Sequence, residues 1–175
     1  MKKIILSIIL VVSIILSGCT ISSDSMPKET KKDASNNTKE EKEPVKKTNT
    51  DNGQTINLSN QKLEKVPSTI FNQTNTEVLD LSNNQLTGAL PGEIRFLKNL
   101  KILKASNNLM TGVPAEVGQL SNLETLDLSN NQLTGLPNEL GNLKNLKIMN
   151  LSGNNYSQQD LDYIKQRLPN TQFIL

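Results

Sequence analysis

Apolar and polar residues alternate through the second two-thirds of the chain in short runs that return at a nearly fixed interval. Pairs such as Leu79/Leu81, Leu103/Ala105, Leu126/Leu128 and Met149/Leu151 each enclose one polar residue. That alternation predicts a short strand with two apolar side chains on one face and the intervening residue on the other. Three positions past each pair stands an amide residue, then another apolar one. Aligning on the amide gives Gln61, Asn84, Asn108, Asn131 and Asn154, with steps of 23, 24, 23 and 23 residues. The ten-residue string Leu79–Gly88 recurs unchanged at Leu126–Gly135, with a degraded copy between them at Leu103–Gly112. A short internal period predicts a stack of units, each too small to bury a core alone.

Leu123, Leu126, Leu128, Asn131 and Leu133 fit the frame L-x-x-L-x-L-x-x-N-x-L. Neighbouring units read Thr76, Leu79, Leu81, Asn84, Leu86; then Leu100, Leu103, Ala105, Asn108, Met110; then Leu146, Met149, Leu151, Asn154, Tyr156. The first unit, Ile56, Leu58, Gln61, Leu63, keeps the least of the frame. On these residues the chain resembles the leucine-rich repeat family from about residue 53 to residue 175. The resemblance implies an α/β solenoid: a horseshoe of about five repeats with a parallel concave sheet and short helical or 3₁₀ convex segments. A Leu-rich helical bundle is the competing architecture. Pro67, Pro91, Pro114 and Pro137 recur once per repeat and would break its long helices.

Each position of the frame has a physical role. The turn after the strand leaves backbone groups pointing inward, and a buried Asn serves them as both donor and acceptor. Gly88, Gly112 and Gly135 are expected to allow the following bend, and the proline pre-sets the first turn of a helical segment. Glu93, Glu116 and Glu139 follow their prolines by two positions, near a helix N-terminus where negative charge is favoured. They read as solvated convex charges rather than as a cation site. At the C-terminal end Ser157 and Asp160 form a variant capping box, with Tyr156 and Leu161 as its hydrophobic staple. Leu161, Ile164 and Leu168 share one helical face, Pro169 stops that helix, and residues 171–175 read as a last strand. This cap closes the solenoid.

The first fifty residues are different. Lys2 and Lys3 precede the apolar run Ile4–Leu16, broken only by Ser7 and Ser13. The run is too short for a membrane span of ~20 residues and has the shape of a secretory signal. Leu16-Ser17-Gly18-Cys19 resembles the lipobox of bacterial lipoproteins. That resemblance implies a signal peptide over residues 1–18 and covalent diacylglycerol, with a further N-acyl chain, on Cys19. Cys19 is the only cysteine, so no disulfide competes for it. Two acyl chains anchor stably where one does not. Residues 19–53 form a lipidated N-terminus and a polar linker. With Val45 almost its only aliphatic residue after Met26, the linker is expected to be disordered. Residues 54–175 form the repeat domain with its cap.

The formal charge of +2 comes from Lys2 and Lys3 alone, because acidic and basic residues balance within 20–53 and again within 54–175. Neither segment has the one-signed excess of a nucleic-acid binder, and the chain has no Trp, three Phe and two Tyr for base stacking. Three columns are expected on the concave face. One reads Glu77, Lys101, Glu124, Lys147; another reads Asn57, Asp80, Lys104, Asp127, Asn150. Alternating sign at ~4.8 Å spacing reads as a self-neutralising ladder of exposed pairs or as a patterned docking surface. The third column, Thr55, Val78, Ile102, Thr125, Ile148, is largely aliphatic and runs beside a serine column at 59, 82, 106, 129 and 152. It reads equally as a protein-binding strip with a polar rim or as ordinary strand propensity.

The chain has no histidine, which removes Ser-His-Asp and Cys-His catalysis and His-based zinc sites. Asp80 and Asp127 lie two repeats apart, about 9.6 Å, near the loose end of an inverting carboxylate pair, but no pocket is implied over them. No enzyme, metal or cofactor is expected. The family resemblance implies a protein partner, and the candidate contact residues are Val78, Asp80, Ile102, Lys104, Thr125, Asp127 and Ile148. A lipid-anchored, exported monomer at the bacterial cell envelope is expected. Its alternative role is a structural or adhesive envelope spacer without a dedicated partner.

Overall fold

The computed structural model describes residues 46–49 and 53–175, which belong to one compact unit. The signal peptide, Cys19 and most of the linker lie outside the described residues. One sheet runs the length of the unit in the order β1-β2-β3-β5-β7-β8-β9. Its strands are β1 (Lys46–Asn49), β2 (Gln54–Asn57), β3 (Thr76–Asp80), β5 (Ile102–Lys104), β7 (Thr125–Asp127), β8 (Ile148–Asn150) and β9 (Gln172–Ile174). All neighbours from β2 to β9 are parallel, as a repeated strand–crossover unit requires. A second, two-stranded sheet pairs β4 (Thr87–Gly88) with β6 (Leu109–Met110).

One element departs from expectation. Read as sequence, the polar linker runs unstructured to residue 53, yet Lys46–Asn49 adds an antiparallel strand against Gln54–Asn57. The edge of β2 offers unpaired backbone groups, and backbone pairing demands no apolar side chain from the strand that meets it.

Each crossover contains a 3₁₀ turn: Ser68–Asn72, Gly92–Phe96, Ala115–Gln119 and Asn138–Asn142. Pro67, Pro91, Pro114 and Pro137 stand immediately before them with φ between −72 and −60°. The ring holds that φ without cost and sends no N–H into the turn. Ile70, Ile94, Val117 and Leu140 point inward from the turns and are fully buried. They meet the strand leucines, where Leu79, Leu103, Leu126 and Met149 lie opposite one another with no exposed surface. Each such side chain contributes roughly 1.5–3 kcal/mol of burial, but only because the adjacent repeat covers it.

Between strand and turn the asparagine column forms as expected. Asn84 Nδ2 donates to the carbonyls of Leu58 and Leu81, and its Oδ1 accepts from the Gln61 and Leu63 N–H groups. Asn108 joins Leu81 O, Ala105 O and Leu86 N–H, and Asn131 joins Ala105 O, Leu128 O and Met110 N–H. Asn154 repeats the arrangement with Leu128 O, Leu151 O and Leu133 N–H. Every amide therefore bridges its own repeat to the one before. No buried side-chain polar atom among the described residues lacks a partner.

The residue before each column member carries a conformational role that the repeat motif does not advertise. Asn60, Asn83, Asn107 and Asn130 have φ between 53 and 61°, and Gly153 has φ 71°. Asparagine tolerates this left-handed region better than other side chains do. Of the three glycines expected to make the bend, only Gly88 has positive φ (68°). Gly112 and Gly135 do not, and the left-handed step common to every repeat is the one before the amide column.

Helix α1 (Gln158–Arg167) closes the stack. Ser157 Oγ accepts from the Asp160 N–H at 3.3 Å, and Asp160 Oδ2 accepts the Leu136 N–H of the preceding repeat at 3.0 Å. Leu161, Ile164 and Leu168 are buried, and β9 pairs in parallel with β8. Among the described residues no helix is long and apolar enough to cross a membrane.

Replacing Asn108 by Ala would leave the Leu86 N–H unpaired in the core, while the Leu81 and Ala105 carbonyls keep their bonds from Asn84 and Asn131. A loss of roughly 1–3 kcal/mol is expected in urea unfolding. Asn107→Gly, at the exposed left-handed position beside it, should change the midpoint little.

Candidate functional site on the concave sheet

Strand register brings the candidate residues into two straight rows. Thr55, Val78, Ile102, Thr125, Ile148 and Gln172 are successive partners across the sheet, and so are Asn57, Asp80, Lys104, Asp127, Asn150 and Ile174. The period of two sends both rows to the concave face while Leu79, Leu103, Leu126 and Met149 face the core. Val78, Ile102, Thr125 and Ile148 are half-buried, as are Asp80 and Asp127, and Lys104 is exposed. All seven candidate residues thus share one surface, held by a backbone with little freedom.

The row at the strand entries neutralises itself. Lys101 Nζ lies 2.9 Å from Glu77 Oε2, and Lys147 Nζ lies 2.6 Å from Glu124 Oε2. These are solvent-facing pairs between adjacent repeats, and water and salt screen them.

The Asp80–Lys104–Asp127 row behaves differently, although its signs also alternate. No ion pair forms there among the described residues. Asp80 Oδ1 instead accepts the Ser82 N–H at 2.9 Å. Asp127 Oδ1 accepts both the N–H and the hydroxyl of Ser129, at 3.0 and 2.7 Å. Asn57 and Asn150 make the same bond to Ser59 and Ser152. The position between the core leucines therefore needs a short acceptor to close the turn, a role the sequence pattern D/N-x-S carries but that charge alone conceals. Lys104 has no acceptor, and in its repeat Ser106 Oγ donates to Ser82 Oγ across repeats at 3.1 Å. The serines form less of a polar rim than expected, because Ser82 and Ser129 are buried by these bonds.

Two depressions lie away from these rows. One, about 510 Å³, is open and lined by Asn138, Gln159, Asp160, Asp162, Tyr163 and Gln166 on the cap. The other, about 240 Å³, lies beside the small sheet among Val66, Leu86, Leu90 and Met110. Neither covers the Asp80–Asp127 pair. Among the described residues no group of three or more acidic or thiol side chains is placed to hold a metal ion.

The hydrogen bond from Lys147, and then its charge, hold the Glu124 carboxyl below its ordinary value of 4.5. A value lowered in the folded state stabilises the fold above the unfolded chain's value and loses that contribution as pH falls through the lower, folded one. Solvent keeps the effect small. A carbon-detected NMR titration should find Glu124 ionised to lower pH than an ordinary glutamate, and Lys147→Gln should return it to the usual range.

The leucine-rich repeat family model matches residues 54–110 and 99–155, which together cover more than half of the chain. No curated protein matches it. Among solved structures, a leucine-rich repeat protein of Leptospira interrogans is 40% identical with a TM-score of 0.60, over 63% of this chain and 28% of that one. The chain thus spans under a third of the Leptospira protein. The ectodomain of the receptor kinase SOBIR1 of Arabidopsis thaliana is 27% identical with a TM-score of 0.56, over 74% of this chain and 75% of that one. The BIR3–SERK2 complex of Arabidopsis thaliana matches at 30% identity and a TM-score of 0.55, over 63% and 61%. Frame, register and family model agree: the chain belongs to the leucine-rich repeat family.

Proposed function

We propose that the repeat domain is a protein-binding module of a bacterial cell-envelope lipoprotein. In this reading it holds its partner on the concave rows and is anchored through diacylglycerol on Cys19. The observation that carries the reading is the continuous half-buried row Val78–Ile102–Thr125–Ile148, flanked by carboxylates and a lysine that the fold does not neutralise. Apolar surface beside polar groups on a rigid sheet is the composition of a small protein interface. Folds of this family serve in general as interaction modules rather than enzymes, and the matched BIR3–SERK2 structure is itself a complex of two proteins. The row is short, so affinity depends on a few contacts.

A photo-crosslinking residue placed at Thr125 in intact cells should yield a discrete adduct, whereas one at Gln119 on the convex side should not. Ile102→Glu with Ile148→Glu should reduce the Thr125 adduct at least about tenfold while circular dichroism and the unfolding midpoint stay close to the parent's. An undiminished adduct would remove the concave row from the binding face, and no adduct at all would favour a structural spacer.

The anchoring proposal rests on Leu16-Ser17-Gly18-Cys19 after a basic start and a short apolar run. Cys19→Ala should move the protein from the membrane to the soluble fraction and abolish fatty-acid labelling. Retained label and membrane association would place the anchor elsewhere.

A further inference from the structure

Charge on the concave face repeats every second strand, and the apolar row does so only at its isoleucines. In the inner row Asp80 and Asp127 carry the same charge on either side of Lys104. In the apolar row Ile102 and Ile148 stand on either side of Thr125, with Val78 on the strand next to Ile102. At the strand entries the sign of the paired row returns at the same interval. With strands ~4.8 Å apart, like groups recur about every 9.6 Å along the solenoid axis.

That distance discriminates among the conformations a bound segment could adopt. An extended strand laid along the axis presents same-face side chains every ~6.6 Å, and an α-helix presents them about every 5.4 Å per turn. Polyproline II has three residues per turn and a rise of 3.1 Å, so every third residue faces the same way about 9.3 Å further on. Only the last spacing matches the surface without slipping.

Charge selects the residue at that spacing. The strand-entry row is neutralised internally by its two ion pairs. In the inner row two carboxylates face one lysine. Asp80 and Asp127 each use Oδ1 on a serine, and each Oδ2 takes no hydrogen bond among the described residues. These two free oxygens, one polyproline turn apart, suit two cations at positions i and i+3. Lys104 lies midway between them, where a polyproline segment presents no side chain but does present unpaired carbonyls for an ammonium donor. The residues between the cations turn toward Ile102 and Ile148.

We propose that the ligand of the concave face is a protein segment in polyproline II conformation with Lys or Arg at every third position. Its cations sit on Asp80 and Asp127, and its intervening prolines pack on the Ile102–Ile148 row. The proposal rests on the concave rows being the binding face. From Val78 to Ile148 the row spans about 14 Å, the length of about five polyproline residues. The complex is therefore small and salt-sensitive.

The protein supplies its own control. Asn57 and Asn150 already close the serine turn in place of aspartate, so Asp80→Asn with Asp127→Asn removes charge while keeping the Oδ1 acceptor. Fluorescence anisotropy at low salt, on the full chain, would compare labelled peptides with four lysines each, spaced Lys-Pro-Pro or Lys-Pro-Pro-Pro, and a Glu-Pro-Pro peptide. The Lys-Pro-Pro peptide should bind about tenfold more tightly than the wider-spaced one, and the Glu-Pro-Pro peptide should not bind. The double Asn variant should lose about tenfold for Lys-Pro-Pro only, with an unchanged unfolding midpoint. Equal binding of the two lysine peptides would reduce the effect to bulk charge and overturn the proposal, as would binding that the double variant leaves intact. Failure of every peptide while the Thr125 adduct persists overturns the ligand class and leaves the binding face standing. Failure of both overturns the two together.

Discussion

The fold depends on one amide side chain per repeat. A strand, a turn and a 3₁₀ segment of about two dozen residues cannot bury their own leucines, and the sharp turn leaves backbone groups facing the core. Asn84, Asn108, Asn131 and Asn154 answer both problems, since each donates to two carbonyls in adjacent repeats and accepts from an N–H of the preceding one. Apolar residues of similar size along the whole column would fill the space and leave those groups unpaired, which costs more than the packing returns. The leucines supply most of the stabilisation, but the asparagines decide that the repeats stack in one register.

Register in turn determines the surface. Parallel pairing places residue upon residue at a constant offset, so a difference between two repeats becomes a feature at a defined distance along the sheet. The residues of the proposed face are held by backbone bonds and by the turn bonds of Asp80 and Asp127, which would leave little freedom to lose on association. The same bonds explain why two rows of alternating sign behave differently. Long side chains at 77, 101, 124 and 147 reach one another, whereas short carboxylates engaged with serine N–H groups do not reach Lys104.

Most of this architecture was legible in the sequence because it arises from period. The L-x-L spacing placed Val78, Ile102, Thr125 and Ile148 in one row, and the ladder pairs them in that order. Proline predicted where each turn begins, and Ser157 with Asp160 predicted the cap. Three things were hidden because they depend on backbone conformation rather than on spacing. Asn83, Asn107 and Asn130 look like surface polars until their left-handed φ is known, and Gly112 and Gly135 look like bends that the chain does not make. Asp80 and Asp127 look like free surface charges until the serine bonds appear. Strand β1 was hidden for another reason, since nothing in Lys46–Asn49 but its backbone is needed for the pairing.

Alternating charge also limits how the concave face can work. Opposite charges ~4.8 Å apart cancel over a distance shorter than the ~8 Å Debye length at physiological salt, so the face projects almost no field into solution. The balance of ten basic and ten acidic residues over 54–175 adds none from elsewhere in the domain. Under the proposed function a partner is therefore not steered from afar, and association would proceed at the unassisted rate of ~10⁵–10⁶ M⁻¹s⁻¹. On that proposal discrimination would come from dissociation, that is, from how well contacts on Ile102, Ile148, Asp80 and Asp127 persist once made. Of these four, Ile102 and the two carboxylates stand in the three central strands, furthest from either end of the row. The repeats that look most alike as sequence thus contribute both framework and the two carboxylates, and the middle repeat, whose Lys104 departs from its neighbours, sets the change of sign between them.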